Sequence, residues 1–369
     1  MSQMDDVLSR AVADGDVTFV VAMAANTDGI TYSGAAGEDT VFRIFSMTKG
    51  IGSLAAMIAI DRGKLDVNTP VAEILPEFGD IQVIDRFEGD QPVMRAPKTQ
   101  ATIRHLATHT SGLEYEFWNA EMPRYMEATG HPSVLSGTKA SLSYPMITDP
   151  GTRWGYGPSI DWLGQVVEKI DGRRIDQYCQ EEIFDPLGMT STAFKPSADM
   201  TARLADIGAR GKFGPFELAP PPNPEVYGMG HALYSCAPDY MRFLRMMLNG
   251  GELDGTRLLS EGAVGTMMSD HMDGLEFQKM VTVAPPVTAD CDPFPETRRT
   301  HSFGFLRFEE DVPGMRSAGT QSWAGVLNTH YWLDPHKGVA AVIMTQSLPF
   351  VEPRFMQVYA DYERAVYAA

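Results

Sequence analysis

The chain is expected to adopt an α+β fold: one antiparallel sheet assembled from both ends of the sequence, flanked by helices, with a mainly helical sub-domain inserted between. Near the N-terminus, residues 17–21 form a β-rich run followed by Asp28-Gly29 and then Ile30-Thr31-Tyr32, which reads as a hairpin. Near the C-terminus, residues 326–333 and 339–345 flank Asp334-Pro335-His336-Lys337-Gly338, a second hairpin pattern. Between these ends, helical periodicity alternates with Pro/Gly loops.

In chain order, the first hairpin is followed by a helix over residues 46–62, apolar on nearly every side and therefore expected to be buried. Residues 160–170, 175–184 and 238–248 carry further helical patterns. Residues 282–297, with Pro285, Pro286, Pro293 and Pro295, read as a surface connection. A last helix is expected over residues 353–368. The sheet sub-domain is thus assigned to 1–65 and 270–369, and the helical one to 66–269.

Composition sets outer limits. With 369 residues, 44% hydrophobic and 21% charged, the chain is long enough for well-buried cores. Its net charge of -18 disfavours nucleic acid and anionic membrane surfaces as partners. The acidic start Met1-Ser2-Gln3-Met4-Asp5-Asp6 lacks the features of a secretory signal, and no stretch is long enough to span a bilayer, so a cytoplasmic location is expected. Cys179, Cys236 and Cys291 are odd in number and far apart, which argues against a disulfide framework.

The most informative motif is Ser46-Met47-Thr48-Lys49 at the head of the apolar helix. Side chains three apart on a helix are neighbours, so the lysine amine can reach the serine hydroxyl. Burial favours the neutral, basic amine. Ser136-Gly137-Thr138-Lys139 repeats the pattern, but lies between Pro132 and Pro145, where a loop is expected. Tyr156, in the Gly-rich loop Arg153-Trp154-Gly155-Tyr156-Gly157-Pro158, can project into a cleft as a second proton-handling group. Trp323-Ala324-Gly325-Val326 begins the C-terminal hairpin, where small residues let substrate lie along a strand edge. The similar Trp162-Leu163-Gly164 falls inside a helical pattern whose backbone N–H groups are already committed.

Together these elements resemble the serine β-lactamase and penicillin-binding-protein superfamily, most closely the family VIII carboxylesterases related to class C β-lactamases. Four further words in family order extend the resemblance over nearly the whole chain: Arg104 to Leu113, Phe184-Asp185-Pro186-Leu187-Gly188-Met189, Leu248-Asn249-Gly250-Gly251-Glu252-Leu253 and Tyr331-Trp332-Leu333-Asp334-Pro335. The resemblance implies the β-lactamase/transpeptidase-like fold, Ser46 as nucleophile, Lys49 and Tyr156 as the proton-handling pair, and Trp323-Ala324-Gly325 in place of the lactamases' K-T-G. It also implies a Ser46 acyl-enzyme whose oxyanion is held by the N–H groups of Ser46 and Val326, with a small-molecule ester as substrate and no metal or organic cofactor. Pro158 stands where the lactamases have Asn, and Trp323 where they have Lys, which favours esters over β-lactams. Acyl transfer to an alcohol or amine, β-lactam or D-amino-acid peptide hydrolysis, and a non-catalytic ligand-binding descendant are the alternatives.

His105 and His109 are four apart, but Leu106 stands where the zinc-protease pattern has Glu, so packing or hydrogen bonding is expected of them. Phe117, with Trp118, is a candidate for the substrate-binding wall. No G-x-S-x-G occurs, which removes the usual α/β-hydrolase reading. The natural ester and the oligomeric state are not set by the sequence.

Overall fold

In the computed structural model, which describes residues 2–34, 37, 39–209 and 223–369, the chain starts with a helix that the sequence reading had not placed. This helix, α1 (Gln3–Ala13), is capped reciprocally: the Ser2 hydroxyl accepts from the Asp5 N–H and the Asp5 carboxylate accepts from the Ser2 N–H. The acidic N-terminus is therefore a helix cap. Strand β1 (Val21–Asn26) begins where residues 17–21 were expected to be strand throughout, because the Asp16 and Val17 N–H groups turn back to the Ala11 carbonyl. Strand β2 (Ile30–Gly34) follows a turn in which Asn26 Oδ1 accepts from the N–H groups of Asp28 and Gly29, both at 2.9 Å.

Helix α2 (Thr48–Asp61) is buried along almost its whole length, and a 3₁₀ turn, Phe45–Met47, precedes it. Ser46 thus lies in the tight turn before the helix proper. Helices α3 (Ser159–Asp171) and α4 (Ala237–Leu248) lie where the periodicity placed them. Residues 175–184 form a short α-helix, Ile175–Cys179, that continues as a π-helical turn, Gln180–Phe184.

The C-terminal strands differ from the expected single hairpin. They are β3 (Arg299–His301), β4 (Leu306–Phe308), β5 (Gln321–Gly325), β6 (Thr329–Asp334) and β7 (Val339–Met344), and α5 (Pro353–Ala368) closes the chain. Trp323 belongs to β5, a strand of its own. Residues 326–328 turn the chain, with Asn328 in the left-handed region at φ 60 and its N–H donating to the Gly325 carbonyl at 3.0 Å. The Asn328 amide group also holds the Ser347 and Pro349 carbonyls and the Val351 N–H, so the turn is fixed by one side chain.

The seven strands run in the order β3-β4-β5-β6-β7-β1-β2, every neighbouring pair antiparallel. Pairing of Val21 with Met344 through Asn26 with Val339 joins the two ends of the chain into one sheet. Period-2 alternation divides β6 between two cores: Trp332 packs with α1 and α5, while Tyr331 meets Tyr240 of α4 on the other face at 5.0 Å. α4 therefore covers the sheet although it falls within the stretch 66–269. α2 packs against α3, and the 3₁₀ turn before it packs against β5.

A buried ion pair ties α5 to the sheet. Arg316 binds both carboxylate oxygens of Glu363 at 2.7 Å and donates to the Tyr359 hydroxyl at 2.7 Å, with guanidinium and carboxylate almost wholly shielded from solvent. Removing one partner strands the other charge, so Glu363→Gln and Arg316→Met should each cost about 3–5 kcal/mol in urea unfolding. The double variant should lose less than the sum of the two.

Candidate active site

Three segments bring the sequence motifs together. The first is the turn at Ser46. Phe45 sits in the left-handed region at φ 39, a strain of about 1–3 kcal/mol for a residue with a bulky side chain. Its neighbours hold it there: the Ile44 N–H donates to the Leu233 carbonyl, and the Tyr240 hydroxyl donates to the Met47 carbonyl at 2.8 Å. Gly325 of β5 packs against this turn so closely that a Cβ would lie 2.2 Å from the Ile44 carbonyl oxygen. Only glycine fits there. Gly325 therefore positions the turn and does not line the crevice, in contrast to its expected place among the substrate-binding residues.

Lys49 is wholly buried, and its Nζ lies 3.1 Å from Ser46 Oγ, 3.2 Å from the Tyr115 hydroxyl and 2.7 Å from the Gly230 carbonyl. Burial pulls the amine down to about 7, against the opposing pull of the Asp161 carboxylate. Asp161, on the first turn of α3, is itself buried, and accepts from the Gly230 N–H at 3.2 Å and the Tyr115 hydroxyl at 3.4 Å. His231 places Nδ1 3.2 Å from Asp161 Oδ1, at ion-pair distance but without the alignment of a hydrogen bond. A Cβ on residue 230 would come within 2.3 Å of the Asp161 carboxylate, so the segment 228–231 can wrap the lysine only with glycine at that point.

The third part is Tyr156. Its phenol lies close to Ser46, and Trp323 Nε1 donates to it at 3.0 Å. Burial raises the phenol above its usual range, while Ser46 and Trp323 pull the other way. Lys49 Nζ lies over the Tyr156 ring at 4.7 Å, so the amine meets the ring face while its hydrogen bonds go to Ser46 and Tyr115. Below lie His109 and His301, whose rings pack on Tyr156 and Trp323. Burial keeps both imidazoles uncharged, His301 pushed down to about 3. His105, by contrast, caps its own helix at Thr102, so the two histidines of the H-x-x-x-H spacing do different work.

β4 pairs with β5 only at Gln321 and Ser322, so the sheet leaves Trp323–Gly325 without a strand neighbour on that side. Here a crevice of about 600 Å³ opens over Ser46, lined by Phe45, Tyr115, Phe117, Trp118, Tyr156, His231, Trp323, Ala324, Val326 and Phe350 among others. Phe117 and Trp118 are thus wall residues. Val287 and Thr288 also line it, so residues 282–297 border the crevice as well as connecting elements. No lysine or arginine is among its described lining residues. The second S-x-x-K does not form a comparable pair: Ser136 Oγ bonds to Thr138, and Lys139 reaches Glu77 at 3.6 Å. Trp162-Leu163-Gly164 lies within α3.

Tyr115, Asp161 and His231 were missed by sequence reasoning. Tyr115 stands two residues beyond a matched word, and its N–H donates to the Tyr156 carbonyl at 2.9 Å, which sets the two tyrosines side by side. Asp161 and His231 are far apart in sequence and carry no local signal. The three cysteines are free and buried, and burial raises their thiols. Among the described residues, no group of three or more His, Cys, Asp or Glu side chains is placed to hold a metal ion, and no helix is long and apolar enough to cross a membrane.

A family model described as beta-lactamase matches residues 4–365. The chain belongs to the β-lactamase family. It is an enzyme of the serine β-lactamase superfamily, within which hydrolases and acyltransferases both occur among its relatives. It is 29% identical to lovastatin esterase of Penicillium rubens over 376 residues, 94% of this chain and 92% of that protein. It is 30% identical to monacolin J acid methylbutanoyltransferase of Aspergillus terreus, covering 89% of this chain and 82% of that one. The unliganded structure of simvastatin synthase from Aspergillus terreus superposes with a TM-score of 0.82 at 27% identity, covering 99% of this chain and 97% of the other.

Within this β-lactamase-family site, Asp161 is the carboxylate that holds the Lys49 amine up. Asp161→Asn removes the charge while keeping the shape, so the Lys49 amine should titrate below about 7. Spectra of ¹³Cε-labelled lysine, with Lys49 assigned through Lys49→Met, measure this. A rise, or no change, would contradict the assignment.

Proposed function

We propose that this chain cleaves carboxylic esters through an acyl-enzyme on Ser46 and passes the acyl group to water. The observation that carries the reading is a desolvated amine, at about 7, within 3.1 Å of a serine hydroxyl at the floor of an aromatic crevice. Neutral Lys49 takes the proton as Ser46 Oγ attacks the ester carbonyl. The backbone N–H groups of Ser46 and Val326, both crevice residues, receive the developing oxyanion. Tyr156, a neutral phenol at rest, gives its own proton to the leaving alkoxide, and the alcohol departs, leaving a phenolate beside the Lys49 ammonium. Water then gives a proton to the Tyr156 phenolate as its oxygen attacks the acyl carbon, and Ser46 leaves with the proton that Lys49 took.

A second reading, transfer of the acyl group to an alcohol, is favoured by the apolar crevice wall and by relatives named as acyltransferases. Both share the first half of the reaction and differ in which acceptor the crevice admits. A carboxylate-bearing lactam is disfavoured by the absence of lysine and arginine from the described lining. A purely binding descendant would have no use for a strained turn presenting a serine to a dry amine.

p-Nitrophenyl esters should be hydrolysed, with a fluorophosphonate labelling Ser46 and Ser46→Ala at background. Tyr156→Phe should lower kcat/KM by about 10²–10⁴. Because only the neutral amine accepts a proton, kcat/KM should rise with pH through about 7 and be lost as the pH falls below it. A profile flat across neutrality, or Ser46→Ala as active as the parent, would falsify this mechanism. Addition of a primary alcohol separates the two readings: acid as sole product supports hydrolysis, and a new ester supports transfer.

A further inference from the structure

Beside the crevice lies a second and larger space that the chemistry above leaves unused. It spans about 1010 Å³, part of it open to solvent, between β5, the chain around residues 290–294 and the inward side of α5. The two spaces share Trp323, Ala324 and Phe350. Phe350 forms the partition, its ring meeting Trp118 of the crevice at 6.4 Å and stacking on His330 of the chamber at 5.7 Å.

Three charges on the chamber wall are already matched: Arg316 with Glu363, Asp290 with Lys279 and Asp292 with Arg299. Nothing there calls for an ionic ligand. A space whose charges are already paired and whose wall is largely apolar takes an uncharged, extended group.

We propose that this chamber binds the distal, largely apolar end of the substrate. The proposal rests on the ester reading above and names its substrate class: esters whose acyl or alcohol part is long enough to pass Phe350. Both parts present the same chemistry, so the experiment has two arms. One compares p-nitrophenyl acetate with p-nitrophenyl decanoate, and the other compares ethyl acetate with decyl acetate. Each is run on the parent protein, on Ala360→Phe and on Met356→Phe, which narrow the chamber from α5.

In one arm the parent should prefer the long member, and the long-to-short ratio of kcat/KM should fall about tenfold in the narrowed variants. The arm that responds identifies which part of the ester occupies the chamber. Ratios equal in parent and narrowed variants in both arms overturn the proposal, and thermal melts exclude a variant that has not folded. Should the parent turn over no ester and Ser46 stay unlabelled, the ester reading fails separately. Calorimetric titration with decanediol then decides the chamber: saturable binding lost in Ala360→Phe supports it, and no saturable binding overturns it.

Discussion

The arrangement depends on one costly act, keeping the Lys49 amine out of water. A buried ammonium loses its hydration, so the fold has to return hydrogen bonds and some opposing charge, or the group gives up its proton. Here both compensations are partial. The Ser46 hydroxyl, the Tyr115 phenol and the Gly230 carbonyl surround the nitrogen, and Asp161 supplies a negative charge nearby. The balance leaves the amine at about 7, where neutral and charged forms exchange easily.

Much of the surrounding structure follows from that constraint. α3 delivers Asp161, the glycine-bearing segment 228–231 closes over the amine, and the turn at Phe45 aims Ser46 back toward it. On the open side, early termination of the β4 pairing exposes the end of β5 to the crevice. Trp323 reaches across that opening to hold Tyr156, which explains why an indole can replace a cation at this position. The indole orients a phenol, whereas a lysine would anchor an anionic ligand. In the proposed reaction, the choice between hydrolysis and transfer rests on which acceptor enters beside this aromatic wall.

How much of this was legible varies with the range of the interaction. α2, α3, α4 and α5 follow from local periodicity, and the Ser46–Lys49 contact follows from one turn of spacing. The cap of α1 was in plain sight as Ser2 and Asp5, yet the segment read only as an acidic start. β5 was merged into the following hairpin because the turn at 326–328 carries no glycine or proline. Its left-handed residue is Asn328, held by bonds to a segment about twenty residues further on. Gly325, expected at the substrate, serves a backbone contact with Ile44 that no local pattern discloses.

The sequence by itself determined the class of fold and the joining of both ends into one sheet, and it singled out Ser46, Lys49 and Tyr156, because periodicity and motif spacing act over a few residues at a time. Tertiary structure alone decided what those groups are worth. It set the protonation balance of Lys49 through burial and, against it, Asp161, seated Tyr115 and Trp323 at the amine and the phenol, and opened a chamber behind Phe350. These are consequences of burial and of charge felt through space between residues far apart in the chain, and no stretch of local sequence encodes them.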